Sequence, residues 1–289
     1  MKSSHYLALG FFLFSATIAH AQDSRVFDNL TLKSELLDME RHYAIYLPTG
    51  YDHSERSYPV LYLLHGGGDD HTGWVQFGEV QHIADKAIKE GTATPMIIVM
   101  PDANTGRRGY FNDINGEWRY EDFFFEEFIP FIEGKYRIKS EKRYRAVAGL
   151  SMGGGGSFFY AMHRPDMFSS AAPLSAALRS QTKQEFRQAL ENSGTKVKNL
   201  ASLDVYYDRH QALRQIELNY LEDMKSVRWY FDCGDDDFLY EGNSLVHIAL
   251  RKKEVPHEFR IRDGGHTWGY WRTSLPDVLG FVSEAFHQR

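Results

Sequence analysis

The segment from Arg145 to Ser157 limits what this chain can fold into more than any other stretch. A short apolar run, Ala146-Val147-Ala148, leads into Gly149-Leu150-Ser151-Met152-Gly153, and small residues follow to Ser157. The pattern predicts a strand that turns sharply into a helix and projects one serine hydroxyl at the turn. Gly149 and Gly153 flank Ser151 because a Cβ at either position would collide with the neighbouring strand or helix. The helix that starts after Ser151 leaves amide N–H groups unpaired, and these can meet an anion formed beside the serine.

The rest of the chain repeats the setting. Tyr58 to Leu64, Met96 to Met100, Tyr144 to Leu150, Ala171 to Ala176, Val227 to Cys233 and His257 to Ile261 read as strands. Near-continuous apolar runs of this kind suit strands buried on both faces of a parallel sheet. Helical patterns separate them over Val80–Glu90, Tyr120–Tyr136 (with Pro130 as a kink or break), Met152–Met162, Gly242–Lys253 and Leu275–Phe286. Residues 26–48 read as an antiparallel β entry. The alternation predicts an α/β fold, a mostly parallel central sheet with helices on both faces. Residues 177–225 differ in texture, being polar and charged. They are read as a helical insertion over one end of the sheet, with helices at Gln184–Leu190 and His210–Met224.

Ligands of parallel α/β sheets sit at the carboxyl ends of the strands. Four candidate groups fall there: the loop His65-Gly66-Gly67-Gly68, Ser151, the run Asp235-Asp236-Asp237, and His266. Acyl transfer needs a nucleophile, a base, a carboxylate that orients the base, and donors for an oxyanion. Ser151 is the candidate nucleophile and His266 its base. Asp237 is the favoured carboxylate, since Gly234 precedes it at turn spacing, with Asp236 as its rival. The expected oxyanion donors are the backbone amides of Met152, next to the serine, and of Gly67. His65, Asp69, Asp70 and His71 match no metal-ligand spacing, so no metal and no cofactor is expected.

These motifs give the chain a likeness to a family. It resembles the putative-esterase branch of the α/β-hydrolases, which includes carbohydrate esterase family one (feruloyl and acetylxylan esterases), esterase D or S-formylglutathione hydrolase, and mycolyltransferases. The likeness runs over about residues 35–288. It rests on residues 43–48, 58–68, Gly149-Leu150-Ser151-Met152-Gly153-Gly154, 231–237 and Gly265-His266-Thr267-Trp268. It implies an α/β-hydrolase fold and a serine esterase in which Ser151, Asp237 and His266 form the triad. The order Ser, Asp, His along the chain agrees with that fold. The triple aspartate and the insertion at about 177–225 depart from the family pattern.

Partner and compartment follow from the remaining features. The net charge of −6 includes no basic stripe, so no nucleic-acid partner is expected. Lys2, the apolar run Tyr6–Ile18 and Ala19-His20-Ala21 read as a signal peptide over residues 1–21. That leaves 22–289 as a single esterase domain, secreted or periplasmic, with no membrane insertion after cleavage. A single cysteine, Cys233, rules out an intramolecular disulfide. Aromatic residues reach 15% of the chain, and such rings stack well on aromatic ligands. Trp74, Tyr110, Phe111, Trp118, Trp268 and Trp271 are expected on loops near the mouth, with Trp271, Trp118 and Trp268 as candidate substrate contacts. An exported esterase of this kind suits removal of feruloyl or acetyl groups from xylan. The alternatives are S-formylglutathione hydrolase, a siderophore-type esterase, an acyltransferase of the same fold, and a catalytically silent carbohydrate-binding module.

Overall fold

The computed structural model describes residues 23–106, 109–179 and 181–287. The signal peptide expected over 1–21 lies outside these residues. Strand β1 (Arg25–Ser34) and strand β2 (Met39–Leu47) form the antiparallel entry. Then come β3 (Val60–Leu64), helices α1 (Gly73–Gln76) and α2 (Val80–Lys89), and β4 (Ile97–Pro101). Helix α3 (Tyr120–Asp122) runs through a π-helical stretch, Phe123–Phe128, into α4 (Ile129–Lys135). Pro130 therefore does not end the helix. It comes just after the π-helical stretch, where the widened backbone accommodates a residue without an N–H. The path continues through β5 (Arg145–Leu150), α5 (Met152–His163) and β6 (Ser170–Leu174) to four helices of the insertion, α6 (Lys183–Asn192), α7 (Leu200–His210), α8 (Ala212–Leu218) and α9 (Leu221–Lys225). It closes with β7 (Arg228–Gly234), α10 (Tyr240–Lys252), β8 (His257–Arg262) and α11 (Trp268–His287).

The eight strands make one sheet in the order β1-β2-β4-β3-β5-β6-β7-β8. Strand β2 pairs antiparallel with β1 and β4, and every pairing from β4 through β8 is parallel. The parallel strands therefore end on one edge, and the loops that leave them share that edge. Side-chain alternation sorts the core into two layers. Val60, Tyr62 and Leu64 face a cluster with Phe124, Phe128 and Phe158, while Leu61 and Leu63 face one with Ile83, Ala84, Leu275 and Val278. Helices α2 and α11 thus cover one face, and α4, α5 and α10 the other. No helix among the described residues is long and apolar enough to cross a membrane.

The insertion differs in detail from its expected helices. The pattern expected over His210–Met224 is broken by extended backbone at Gln211, Asn219 and Tyr220. A further helix, α7, precedes it. Leu203 and Tyr206 of α7 share one face and pack on Phe186 and Leu190 of α6, a small core separate from the sheet. Thr182 and Glu185 form a reciprocal capping box at the start of α6.

A buried charge cluster ties this layer to the body. The Glu121 carboxylate accepts from His163 Nδ1 at 2.8 Å and from the Arg209 guanidinium at 2.7 Å, linking α3, α5 and α7. Burial pushes the Glu121 pKa up, but the bonds and charges of His163 and Arg209 outweigh it and hold the carboxyl below its usual range. A group with a depressed folded-state pKa stabilises the fold above its ordinary titration range and loses that contribution as pH falls through the folded value. Glu121→Gln is expected to cost about 3 kcal/mol near neutrality, the lower end for breaking a buried pair. The check is a fall in the urea midpoint at constant m-value, with wild-type and variant stabilities converging in acid.

Candidate active site

The loops at the carboxyl edge hold the candidate residues. Ser151 joins β5 to α5 with φ 54° and ψ −115°, a conformation that side chains rarely adopt. Three hydrogen bonds hold it there. Its N–H donates to the Leu174 carbonyl, and its own carbonyl accepts from Gly155 and Ala177, each at 2.9 Å. The flanking glycines have steric reasons. A Cβ at Gly149 would lie 2.5 Å from the Gly153 carbonyl oxygen, and one at Gly153 would lie 2.5 Å from that of His65. Strain of this kind costs about 1–3 kcal/mol and persists only where the surroundings over-determine it.

His266 reaches the serine from the loop after β8. Ser151 Oγ lies 2.9 Å from His266 Nε2, and His266 Nδ1 lies 2.8 Å from Asp237 Oδ2. Asp237 is fully buried. Its burial raises the pKa, but bonds from His266, the Leu239 amide and the Ser175 hydroxyl more than reverse this, leaving the carboxyl below its ordinary range. An ionised carboxylate only accepts, so the proton sits on Nδ1 and Nε2 is free to accept from the serine hydroxyl. Asp235 and Asp236 are exposed and turn elsewhere. Asp235 accepts from the Gly264 amide at 3.0 Å, and the Asp236 N–H donates to the Gly264 carbonyl at 3.1 Å. Gly234 allows this crossing, since a Cβ there would lie 2.0 Å from the Gly264 oxygen.

The glycine loop after β3 passes beside the serine. A Cβ at Gly66 would come within 3.5 Å of Ser151 Cβ, and Gly67 next to it is exposed. Met152 begins α5, so its N–H has no carbonyl one turn back within the helix. Buried His65 braces this loop. Its Nε2 accepts from the Ala103 amide at 2.9 Å, so its Nδ1–H donates to the Gly66 carbonyl at 2.8 Å. Burial lowers its pKa and keeps the ring neutral. Tyr110, through its hydroxyl, accepts the His65 N–H at 2.8 Å, and Arg41 bonds the Asp102 side chain and carbonyl just before Ala103.

Both ring nitrogens of His65 are thus committed within the protein, and His71 Nε2 donates to the Asp28 carbonyl. Exposed Asp235, Asp236 and Asp263 have carboxylate oxygens within 4.8 Å of one another.

The six aromatic residues divide. Phe111 and Trp118 line a cavity of about 820 Å³ between residues 111–118 and the insertion. Ala177, whose N–H holds the Ser151 carbonyl, lies in its wall. Trp74 and Tyr110 are fully buried. Trp268 and Trp271 are not on a loop, because α11 begins at Trp268. Trp268 packs on Trp74, Phe77 and Trp271. Trp271 is buried with its ring perpendicular to that of His266, and its indole N–H donates to Ser175 Oγ at 3.0 Å.

Two residues at this edge went unnoticed in the sequence. Ser175 follows β6, and its hydroxyl joins the Trp271 indole to the Asp237 carboxylate. Its place at a strand's carboxyl end was the available signal. Phe238, next to Asp237, is 64% exposed with its ring 4.5 Å from that of His266. Nothing in its sequence context distinguishes it from a core phenylalanine.

The family model described as "Putative esterase" matches residues 34–282. An esterase of Mycobacterium tuberculosis is 29% identical over 248 residues, covering 78% of this chain and 52% of that protein. The chain thus spans about half the length of the first curated relatives it matches. An endo-1,4-beta-xylanase/feruloyl esterase of Xylanibacter ruminicola is 37% identical over 130 residues, 43% of this chain and 18% of that one. Among solved structures, a ferulic acid esterase superposes with a TM-score of 0.80 at 37% identity, covering 92% of this chain and 99% of its own. An S-formylglutathione hydrolase of Staphylococcus aureus shares the fold, with a TM-score of 0.70 at 19% identity over 91% of this chain and 100% of its own. With its mostly parallel sheet and the residues matched, this α/β-hydrolase-fold chain belongs to the esterase family that carries that description.

Proposed function

We propose that this protein is an exported serine carboxylic-ester hydrolase that removes feruloyl or acetyl groups from plant cell-wall xylan. Removal of residues 1–21 leaves residues 22–289 as one catalytic domain. The observation that carries the reading is the hydrogen-bonded series Ser151, His266, Asp237 at the carboxyl edge of the sheet. Ser151 Oγ attacks the ester carbonyl carbon and passes its proton to His266 Nε2, while Asp237 stabilises the imidazolium. The carbonyl oxygen takes the negative charge against the amides of Gly67 and Met152. Collapse breaks the bond to the alcohol oxygen, which takes the proton from Nε2 and leaves. Water then attacks the acyl-enzyme with His266 again as base, releasing the acid and restoring Ser151.

The cavity beside Ala177 is the site for the acyl group. Its aromatic wall suits a feruloyl ring, and the similarity to a ferulic acid esterase supports that choice. Trp118→Ala is expected to raise KM for methyl ferulate about threefold to tenfold, the range for one aromatic pair, and to change KM for methyl acetate far less. Steady-state kinetics on the two esters checks it. The function itself is tested on feruloylated and acetylated arabinoxylan. Release of ferulate or acetate by the purified protein is expected, as is labelling of Ser151 by a fluorophosphonate probe. Hydrolysis of small esters with neither acid released would overturn the substrate. No labelling would favour a silent binding module.

A further inference from the structure

Phe238 presents an open phenyl face beside the candidate base. It is 64% exposed, its ring centroid lies 4.5 Å from that of His266, and the rings are inclined at 50°. Its neighbour Asp237 accepts from His266 Nδ1 and from the Leu239 amide, so the backbone on both sides of Phe238 is anchored. The ring is thus held in place rather than carried on a loose loop. Beside it opens a recess of about 350 Å³, within the size range of small-ligand sites, about 300–1,000 Å³. Its polar lining comes from Arg179, Gln181, Glu185 and Glu241. Arg179 and Gln181 also border the larger cavity.

The mechanism distinguishes the two. His266 must hand a proton to the departing alcohol oxygen, so the alcohol lies on the histidine side of the serine. Phe238 stands on that side. We infer that Phe238 and the recess beside it seat the alcohol half of the substrate, a pyranose or furanose ring, and that Phe238 is a specificity-determining residue. The apolar C–H face of a sugar lies against the phenyl ring. Its hydroxyls meet the guanidinium, amide and carboxylates of the recess, a combination of one flat apolar surface and a few polar groups that fixes orientation. A methyl ester has nothing to place there. This inference rests on the proposed triad and on a carbohydrate alcohol, but not on the identity of the acyl group.

The test compares two esters of one acid, the ferulate ester of arabinose and methyl ferulate. Phe238→Ala is expected to lower the ratio of their kcat/KM values, sugar over methyl, about tenfold, with the loss in KM for the sugar ester. Phe238→Tyr should keep the ratio. If Phe238 only shields His266, both esters fall together and the ratio holds, which overturns the inference. Should Phe238→Ala not fold, Phe238→Leu keeps the bulk without the flat face and is read in the same way. A second measurement is independent of the acyl group: inhibition of 4-nitrophenyl acetate hydrolysis by xylotriose. Competitive inhibition whose Ki rises about tenfold in the variant supports the assignment, and an unchanged Ki overturns it. Failure of wild type to cleave either ferulate ester would overturn the acyl choice, while the xylotriose result still decides for or against Phe238.

Discussion

Replacing Ser151 with alanine is expected to lower kcat for ester hydrolysis by about 10⁶, the scale of nucleophile removal in subtilisin. The proposed mechanism routes every turnover through a bond to Ser151 Oγ, and among the described residues no other hydroxyl bonds His266 Nε2. What survives is the contribution of oxyanion donors and binding, about 10³–10⁴ over the uncatalysed reaction, because both proposed donors are backbone amides that the substitution leaves intact. The fold should tolerate the change. Alanine at φ 54° is no more strained than serine, and the bonds that hold the turn come from the backbone. The measurement is single-turnover kinetics on methyl ferulate beside a thermal melt. Near-normal turnover in a folded variant would sink the mechanism.

The second large effect separates three adjacent aspartates. Asp237→Asn should lower kcat by about 10⁴, as the equivalent change does in a serine protease, with little change in structure. The amide can donate to Nδ1, which moves the ring proton to Nε2 and leaves nothing there to accept from Ser151. Asp235→Asn and Asp236→Asn should stay within about twofold of wild type, since surface changes away from the chemistry are usually worth less than about 0.5 kcal/mol. Asp237 is held below its ordinary range, so it stays ionised near neutrality and adds no limb of its own to the pH–rate profile there. Steady-state rates for the three variants settle the ranking. A larger loss at Asp236 than at Asp237 would reassign the acid.

The site was legible in the sequence because each of its parts sits where a strand must stop. Apolar runs ending in Gly-x-Ser-x-Gly, in His65 with its glycines, and in the aspartates place these residues on one edge. The less legible parts have physical reasons. Helix α11 begins at Trp268, seven residues before the expected Leu275. The spacing of Trp271, Leu275, Val278 and Val282, all buried, carries the helix back past Pro276 to Trp271. Trp271 therefore lies on a helix and not on a loop, and its indole N–H donates to Ser175 Oγ. Helix α7 was hidden because it packs on α6 and not on the sheet, so its apolar stripe is only two residues wide. Phe238 is visible only in three dimensions, since exposure and the nearness of His266 are what mark it.

The brace around His65 has a consequence for how such an enzyme can vary over generations. In the proposed mechanism the charge of the transition state falls on peptide N–H groups, which every amino acid except proline carries. Inheritance can reach those dipoles only through residues that aim them. His65, Tyr110, Arg41 and Asp102 never meet the ester, yet they hold the loop from below by a connected run of hydrogen bonds. Drift at these buried positions would change rates without changing which esters are accepted, while drift in the cavity and at Phe238 would change the menu and spare the chemistry.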